Sequence, residues 1–118
     1  MRTEAKIPQV FETVTVHDAM FELTRTGLGL VAVKDEMHRL SGVFTDGDLR
    51  RWLLRGGTLS APVADAMTSP GFTLSANQLA AEALDFFHKR KISAAPVTSE
   101  TGRVIGAINA HDIREAGI

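Results

Sequence analysis

The chain of 118 residues carries 13 basic and 14 acidic side chains, a near-neutral balance that argues against a general nucleic-acid binder with its clustered basic excess. It contains no cysteine, which excludes disulfides, thiolate chemistry and thiolate metal sites. Because no apolar run approaches the length of a membrane span, we expect a cytoplasmic protein with a buried core and no contact with membrane or nucleic acid.

An internal repeat with a spacing of 64 residues organises the chain. When each residue is placed on the one 64 positions later, residues 7–54 lie on residues 71–118. Identical pairs such as Gly42 and Gly106 are few, but apolar residues match in kind where a shared core needs them. The pattern predicts an α/β (α+β) fold in which two β-α-β-β-α units pack with pseudo-two-fold symmetry.

The predicted division is repeat 1 at residues 1–55, a linker with a short helix at residues 56–70, and repeat 2 at residues 71–118. The linker helix is expected at residues 63–68, with Ser60 as its N-cap and Pro62 in its first turn. Residues 1–3 resemble residues 67–69, which stand just before repeat 2. This similarity suggests that the chain was cut from a longer protein.

Each unit begins with a short extended segment, at residues 8–10 or 72–74, followed by an amphipathic helix. The helices are marked by apolar residues at i, i+3, i+4 and i+7, namely Val16, Ala19, Met20 and Leu23 in repeat 1 and Ala80, Ala83, Leu84 and Phe87 in repeat 2. Such a stripe is typical of a helix face that packs on a core. Gly27 is suited to end the first helix in a left-handed cap.

Two strands and a final helix complete each unit. Buried strands are predicted at residues 30–33 and 94–97, and third strands, each after a polar turn, at residues 39–44 and 103–108. Pro96 suggests a strand end or an unpaired N–H in the second copy. The final helices are expected to begin at Asp46 and Ala110.

Residues 42–51 form the most informative stretch, with the sequence GVFTDGDLRR. They predict a buried strand that turns at once into a helix, with Thr45 as the N-cap and Asp48 three residues on. One interpretation is a capping box that only starts the helix. The other interpretation is a ligand site, because a helix N-terminus favours anions and Asp48 can accept hydrogen bonds from two sugar hydroxyls. The motif by itself does not choose between them.

Together with this stretch, the two units resemble a CBS domain pair, also called a Bateman module, over residues 7–118. Residues 42–51 and residues 107–113 (AINAHDI) resemble, more narrowly, the CBS tail of the bacterial D-arabinose 5-phosphate isomerases, which open the route to Kdo and lipopolysaccharide. In that family an N-terminal sugar isomerase (SIS) domain does the chemistry, and nothing in this chain resembles it. The resemblance implies a non-catalytic regulatory part of an isomerase, with the SIS domain of the same chain as its partner.

CBS pairs hold adenosyl or other nucleotides in two related clefts, and the resemblance carries specific roles to this chain. Thr45 and Asp48 would hold the ribose in the first cleft, and the helix start would approach the phosphate. In the second cleft Asn109 replaces the threonine, while Asp112 keeps the carboxylate. The candidate ligand-binding residues, which include a backbone segment expected to meet the base, are Gly29, Leu30, Thr45, Asp46, Gly47, Asp48, Arg51, Asn109, His111 and Asp112.

Two carboxylates, Asp46 and Asp48, stand beside the expected phosphate, so a ligand would need compensating cations. The nearest cations in the sequence are Arg50, Arg51 and His111. A solvated helix face is the alternative for both arginines, although Arg51 shares the side of the helix that carries Asp48. His111 is either a phosphate contact near the interface of the two units or a surface histidine.

Other polar and aromatic residues carry weaker signals. His17, His38 and His88 show no metal-ligand spacing and are interpreted as surface residues, so no metal site is expected. Trp52 follows the motif helix and is expected to pack, within the chain or between chains.

The leading hypothesis is a sensor in which a nucleotide binds between the repeats and shifts the packing of an attached enzyme. CMP-Kdo, the activated end product of the pathway, is the candidate feedback ligand, and an adenine nucleotide is the other candidate. The alternative is a structural module that holds isomerase subunits together; both hypotheses predict a homodimer through the CBS helices. Catalysis by this chain is disfavoured, because no nucleophile and base stand at a useful spacing, and no cofactor is expected.

Overall fold

The computed structural model describes residues 7–69, 73–75, 82, 85–86, 88–89 and 94–109. Of Asn109 it describes the backbone only. The strands are β1 (Gln9–Phe11), β2 (Leu30–Lys34), β3 (Leu40–Thr45), β4 (Leu74–Ser75), β5 (Ala94–Thr98) and β6 (Val104–Asn109). The helices are α1 (Val16–Thr26) and α2 (Asp46–Leu54), with a short 3-10 helix at Val63–Asp65 in the predicted linker, called the connector from here on. The described residues between 82 and 89 are helical as well.

The described strands form two three-stranded sheets with the same topology. The orders are β1-β2-β3 and β4-β5-β6, and in each sheet the first pair is parallel and the second antiparallel. Leu30 pairs with Thr45 in the first sheet, and Ala94 pairs with Asn109 in the second. Both residues of the second pair lie 64 positions after their equivalents in the first. The same register shift follows Val33 and Val97. The predicted mixed fold of two repeated units is confirmed.

The two sheets meet at the turns that precede β3 and β6. Arg39 and Arg103 form an isolated antiparallel bridge. The Leu40 N–H donates to the Gly102 carbonyl at 2.9 Å, and the Val104 N–H donates to the His38 carbonyl at 3.3 Å. Gly102 and Val104 are the equivalents of His38 and Leu40 in the second repeat, so a pseudo-two-fold axis between the arginines relates the two bonds.

Helix α1 follows its local signals closely. The Thr15 Oγ1 accepts the Asp18 N–H at 3.1 Å at its start, and Gly27 ends it with a φ of 71° in the left-handed region. Its buried face packs against β2, β3 and the connector in one core, formed by Val16, Ala19, Leu23, Val31, Val33, Phe44, Val63 and Ala66. Ala80, Ala83, Leu84 and Phe87 of the second predicted stripe lie outside the described residues.

The connector departs from the prediction. Its helix spans only Val63–Asp65, Pro62 stands at its N-cap, and no side chain caps it, so the assignment of Ser60 as the N-cap is wrong. The reason is tertiary, because the connector is held by backbone bonds to repeat 1. The Val63 N–H donates to the Val14 carbonyl at 2.7 Å, and Thr68 bridges Val43 on the outer edge of β3.

Pro96 lies in the middle of β5, so of the two predicted alternatives the strand end is wrong. The equivalent residue of repeat 1 is Ala32, whose N–H donates to the Pro8 carbonyl at 2.8 Å. A proline at this position removes that donor, and the neighbouring strand β4 begins only at Leu74.

Trp52 packs within its own chain. Its ring is half-buried against the core, and its Nε1 donates to the Thr58 carbonyl at 2.9 Å. His17, His38 and His88 are exposed, as expected. In the part of the chain that is described, no helix is long and apolar enough to cross a membrane.

Candidate ligand-binding site

The junction of β3 and α2 is built as a complete capping box. Thr45 ends β3 with extended backbone, and α2 begins at the next residue. The Thr45 Oγ1 accepts the Asp48 N–H at 3.1 Å, and the Asp48 Oδ2 accepts the Thr45 N–H at 2.9 Å. The capping interpretation of residues 45–48 therefore holds as local structure.

Asp48 is more than a cap, because its carboxylate is 4% exposed and faces inward. The Oδ2 atom accepts the Thr45 hydroxyl at 3.0 Å in addition to the Thr45 N–H. The Oδ1 atom accepts the Arg51 Nη2 at 2.7 Å and the Thr68 hydroxyl at 2.6 Å. A carboxylate offers about four lone-pair positions, so all of them are occupied.

A cavity of about 410 Å³ runs along the side of α2 that carries Asp48. It is lined by Asp48, Arg51, Leu54, Arg55, Ala66, Met67 and Thr68. Its size lies within the range of small-molecule pockets. One buried carboxylate and two arginines line the same space, which suits a ligand that carries both hydroxyls and a phosphate.

Arg51 and Gly47 lie against each other in the first turns of α2. A Cβ at Gly47 would stand 3.2 Å from the Arg51 Nη1, so the absence of a side chain leaves room for the guanidinium. As expected from the three-residue spacing, Arg51 lies on the side of Asp48 and pairs with it. Asp46 is exposed at the helix start.

Gly29 and Leu30 lie beside the capping residue but do not line the cavity. Leu30 is the register partner of Thr45, which places the start of β2 directly next to the end of β3. Gly29 adopts a φ of 78°, where glycine is favoured, and Leu30 is buried. Their backbone is therefore adjacent to the Thr45 side of the junction.

The second copy of the motif is described only in part. Asn109 is the last residue of β6 and pairs with Ala94, just as Thr45 pairs with Leu30. The side chain of Asn109, and His111 and Asp112 entirely, lie outside the described residues.

The connector contributes residues that sequence reasoning missed, namely Ala66, Met67 and Thr68. Thr68 is 20 positions from Asp48, so no local pattern links the two. Arg55, just after α2, was missed as well. A hydroxyl residue in the segment that returns to β3 is the only signal that could have pointed to Thr68.

A second cavity, of about 360 Å³, is lined by Phe11, Glu12, Thr13, Lys34, Asp35, Glu36 and Met37. The Lys34 Nζ donates to the Gln9 Oε1 at 3.2 Å and lies 4.7 Å from the centre of the Phe11 ring. The pKa of Lys34 is lowered, first by burial and second by the positive charge of Arg103.

Among the described residues, no three acidic or histidine side chains are grouped as metal ligands.

Comparison with known proteins gives matches at the level of family, sequence and fold. The CBS domain family model matches residues 1–55 and 63–118. The chain is 58% identical over 118 residues to arabinose 5-phosphate isomerase GutQ of Salmonella typhi, covering all of this chain and 37% of that protein. It is 44% identical over 113 residues to arabinose 5-phosphate isomerase KdsD of Pseudomonas aeruginosa, covering 95% of this chain and 35% of that protein.

The chain thus spans little more than a third of the length of these curated relatives. The crystal structure of CBSX2 in complex with AMP matches with a TM-score of 0.84 and 23% identity, covering 99% of this chain and 91% of that one. At this identity the likeness shows a shared fold.

Proposed function

The chain belongs to the CBS domain family, and we propose that it is a regulatory module that binds a nucleotide or sugar nucleotide and controls an arabinose 5-phosphate isomerase. The isomerase would be the longer protein of which this chain is a part, acting in the cytoplasm through an SIS catalytic domain. Support for this context comes from the two isomerases to which the chain is similar.

One observation carries the proposal: the buried Asp48 carboxylate faces a cavity of about 410 Å³ beside Arg51 and Arg55. A carboxylate accepts hydrogen bonds from sugar hydroxyls, and guanidinium groups pair with phosphate oxygens. The capping box holds the Asp48 side chain in one orientation before any ligand arrives. Ligand recognition by Thr45, Asp46, Gly47, Gly29 and Leu30 is part of the same proposal.

The class of ligand follows from this chemistry and from relatives of the fold. CBSX2 was crystallised with AMP, and a protein of the same fold from Pyrobaculum aerophilum was complexed with AMP. CMP-Kdo combines a ribose, a phosphate and the end product of the isomerase pathway, so it is our candidate for feedback control. Asn109, His111 and Asp112 would serve a second cleft.

Calorimetry of the 118-residue chain with CMP-Kdo, CMP, AMP and ATP tests the proposal. At least one should bind and raise the melting temperature, because a ligand selective for the folded state stabilises it. Failure of all four to bind at millimolar concentration would contradict sensing.

Two pairs of variants assign the site. Asp48→Asn should weaken binding about tenfold or more, since it removes the charged acceptor, whereas Asp18→Asn, at the same third position of α1 but exposed and outside the cavity lining, should not weaken it. Arg55→Gln should weaken binding of phosphate-bearing ligands, and Arg50→Gln, which is exposed outside the cavity lining, is its control. Circular dichroism checks that each variant is folded. Equal losses within either pair would place the ligand elsewhere.

A second candidate function, assembly of isomerase subunits into a homodimer, is favoured by exposed apolar side chains on α1 and α2. Phe21 is 66% exposed, Leu53 47% and Leu54 82%. Large apolar residues that project from two helices are suited to an interface between copies. Sedimentation of the chain with and without Phe21→Ser separates this function from sensing, because an assembly module would dissociate without any change in nucleotide affinity.

A further inference from the structure

We propose that Thr68 is an internal competitor for the ligand at Asp48, its hydroxyl occupying the position that a sugar hydroxyl takes when a nucleotide binds. This inference rests on the proposed function and adds the residue that sets the affinity of the site. It starts from the 2.6 Å bond between the Thr68 Oγ1 and the Asp48 Oδ1.

The direction of approach is set by the capping box. The Asp48 Oδ2 is held by the N–H and hydroxyl of Thr45, at the junction of β3 and α2. Loss of these bonds would uncap α2. The Oδ1 atom is therefore the one open to exchange, and it is shared by Arg51 and Thr68, both of which line the cavity.

Of the two donors on Oδ1, Thr68 is the one that a ligand displaces. Arg51 carries the positive charge that compensates the buried Asp48 carboxylate, and its removal would leave that charge unpaired. The Thr68 hydroxyl is a neutral donor, as a sugar hydroxyl is. A ligand hydroxyl can therefore take its place on the Asp48 Oδ1 without any change in the charge of the site.

Thr68 can release Asp48 without movement of the backbone. The residue is exposed, and its N–H and carbonyl are both bonded to Val43, at 2.8 and 2.9 Å, independently of the side chain. A rotation about χ1 would move the hydroxyl away from Asp48 without breaking either backbone bond. The connector then stays on the edge of β3 while the acceptor becomes free.

Thr68→Val tests the inference, because it removes the hydroxyl and keeps the branched shape, while Thr68→Ser keeps the hydroxyl and is the matched control. Without nucleotide, Thr68→Val should melt a few degrees below the wild-type chain, and Thr68→Ser should melt closer to it. A melting temperature for Thr68→Val equal to that of the wild-type chain would show that Asp48 does not hold the hydroxyl, and would overturn the inference.

Calorimetry with CMP and AMP gives the second readout. Thr68→Val should bind both about fivefold more tightly than the wild-type chain, since the ligand no longer displaces a bond of typical strength. The 2′,3′-dideoxy forms, which lack the competing hydroxyls, should show no gain. Unchanged or weaker binding of CMP and AMP, or an equal gain for the dideoxy forms, would overturn the inference.

The outcomes separate this inference from the function on which it rests. Binding to both proteins without a gain in Thr68→Val contradicts only the competition. Absence of binding to either protein contradicts the proposed function and the competition together.

Discussion

Arg39 and Arg103 lie directly opposite each other in the antiparallel bridge that joins the two sheets. They occupy equivalent places in the two units, so the pseudo-symmetry sets two positive charges side by side at the axis. Residues opposite each other on adjacent strands point to the same face, and like charges there are destabilising.

Arg39→Glu should therefore stabilise the chain, by about 0.5 kcal/mol, because it creates a cross-strand pair of opposite charges. The midpoint of urea unfolding measures the change. The double variant, Arg39→Glu made in an Arg103→Gln chain and compared with Arg103→Gln alone, lacks the partner charge and should lose the gain, and high salt should diminish it. A gain that persists in the double variant would mean that it does not come from this pair.

Arg103→Gln should raise the pKa of Lys34, because the positive charge of Arg103 contributes to its lowering, after burial. NMR titration of the lysine Nζ or Cε measures it. Arg39→Gln is the matched control and should leave the pKa of Lys34 unchanged. If the pKa of Lys34 rose equally in both variants, the cause would be the general loss of positive charge and not the proximity of Arg103.

The same lowering makes stability depend on pH. The pKa of Lys34 in the folded chain is below the 10.5 of an unperturbed lysine, so between the two values the unfolded chain binds more protons. The contribution of Lys34 to the free energy of unfolding therefore rises with pH through that window. In Arg103→Gln the two pKa values lie closer together, so the window is narrower. Urea unfolding of the wild-type chain and of Arg103→Gln from pH 8 to 10.5 should therefore show a smaller rise in the free energy of unfolding for the variant.

Gly42→Ala should destabilise the chain by about 2 kcal/mol, the scale of an overpacked core. A Cβ at this position would lie 2.5 Å from the Thr68 carbonyl oxygen and 2.9 Å from the Met67 sulfur. Gly47→Ala is the same chemical change where the neighbour is the flexible Arg51 side chain, and alanine is favoured in a helix by about 0.5–1 kcal/mol. Urea unfolding should thus move in opposite directions for the two variants, and equal losses would refute the close contact at Gly42.

Gly57→Ala should disturb the single tryptophan of the chain. A Cβ at Gly57 would overlap the indole ring of Trp52, whose Nε1 donates to the Thr58 carbonyl. We expect a red shift of the fluorescence, because the ring is pushed toward water, together with a lower melting temperature. Thr58→Ala keeps the accepting backbone carbonyl and should leave the spectrum unchanged; a shift there would contradict the assignment of the acceptor.

Much of the fold was accessible from the sequence because its signals are local or repeated. The 64-residue spacing reappears in the strand register, and the caps at Gly27 and Thr45 form as predicted. Each cap depends on atoms three or four residues apart. The ligand roles of the candidate site residues stay a prediction, since they depend on a molecule as well as on the chain.

The sequence alone determined the repeated fold, the apolar face and the end of α1, and the position of Asp48 at the start of α2. Only the tertiary structure decided what surrounds the Asp48 carboxylate, because Thr68 reaches it from 20 residues away. The connector carries Thr68 there by pairing with Val43 on the edge of β3, and no spacing along the chain encodes that pairing. Contacts between neighbours in sequence follow from backbone geometry, whereas contacts across a loop follow from which surfaces the core brings together.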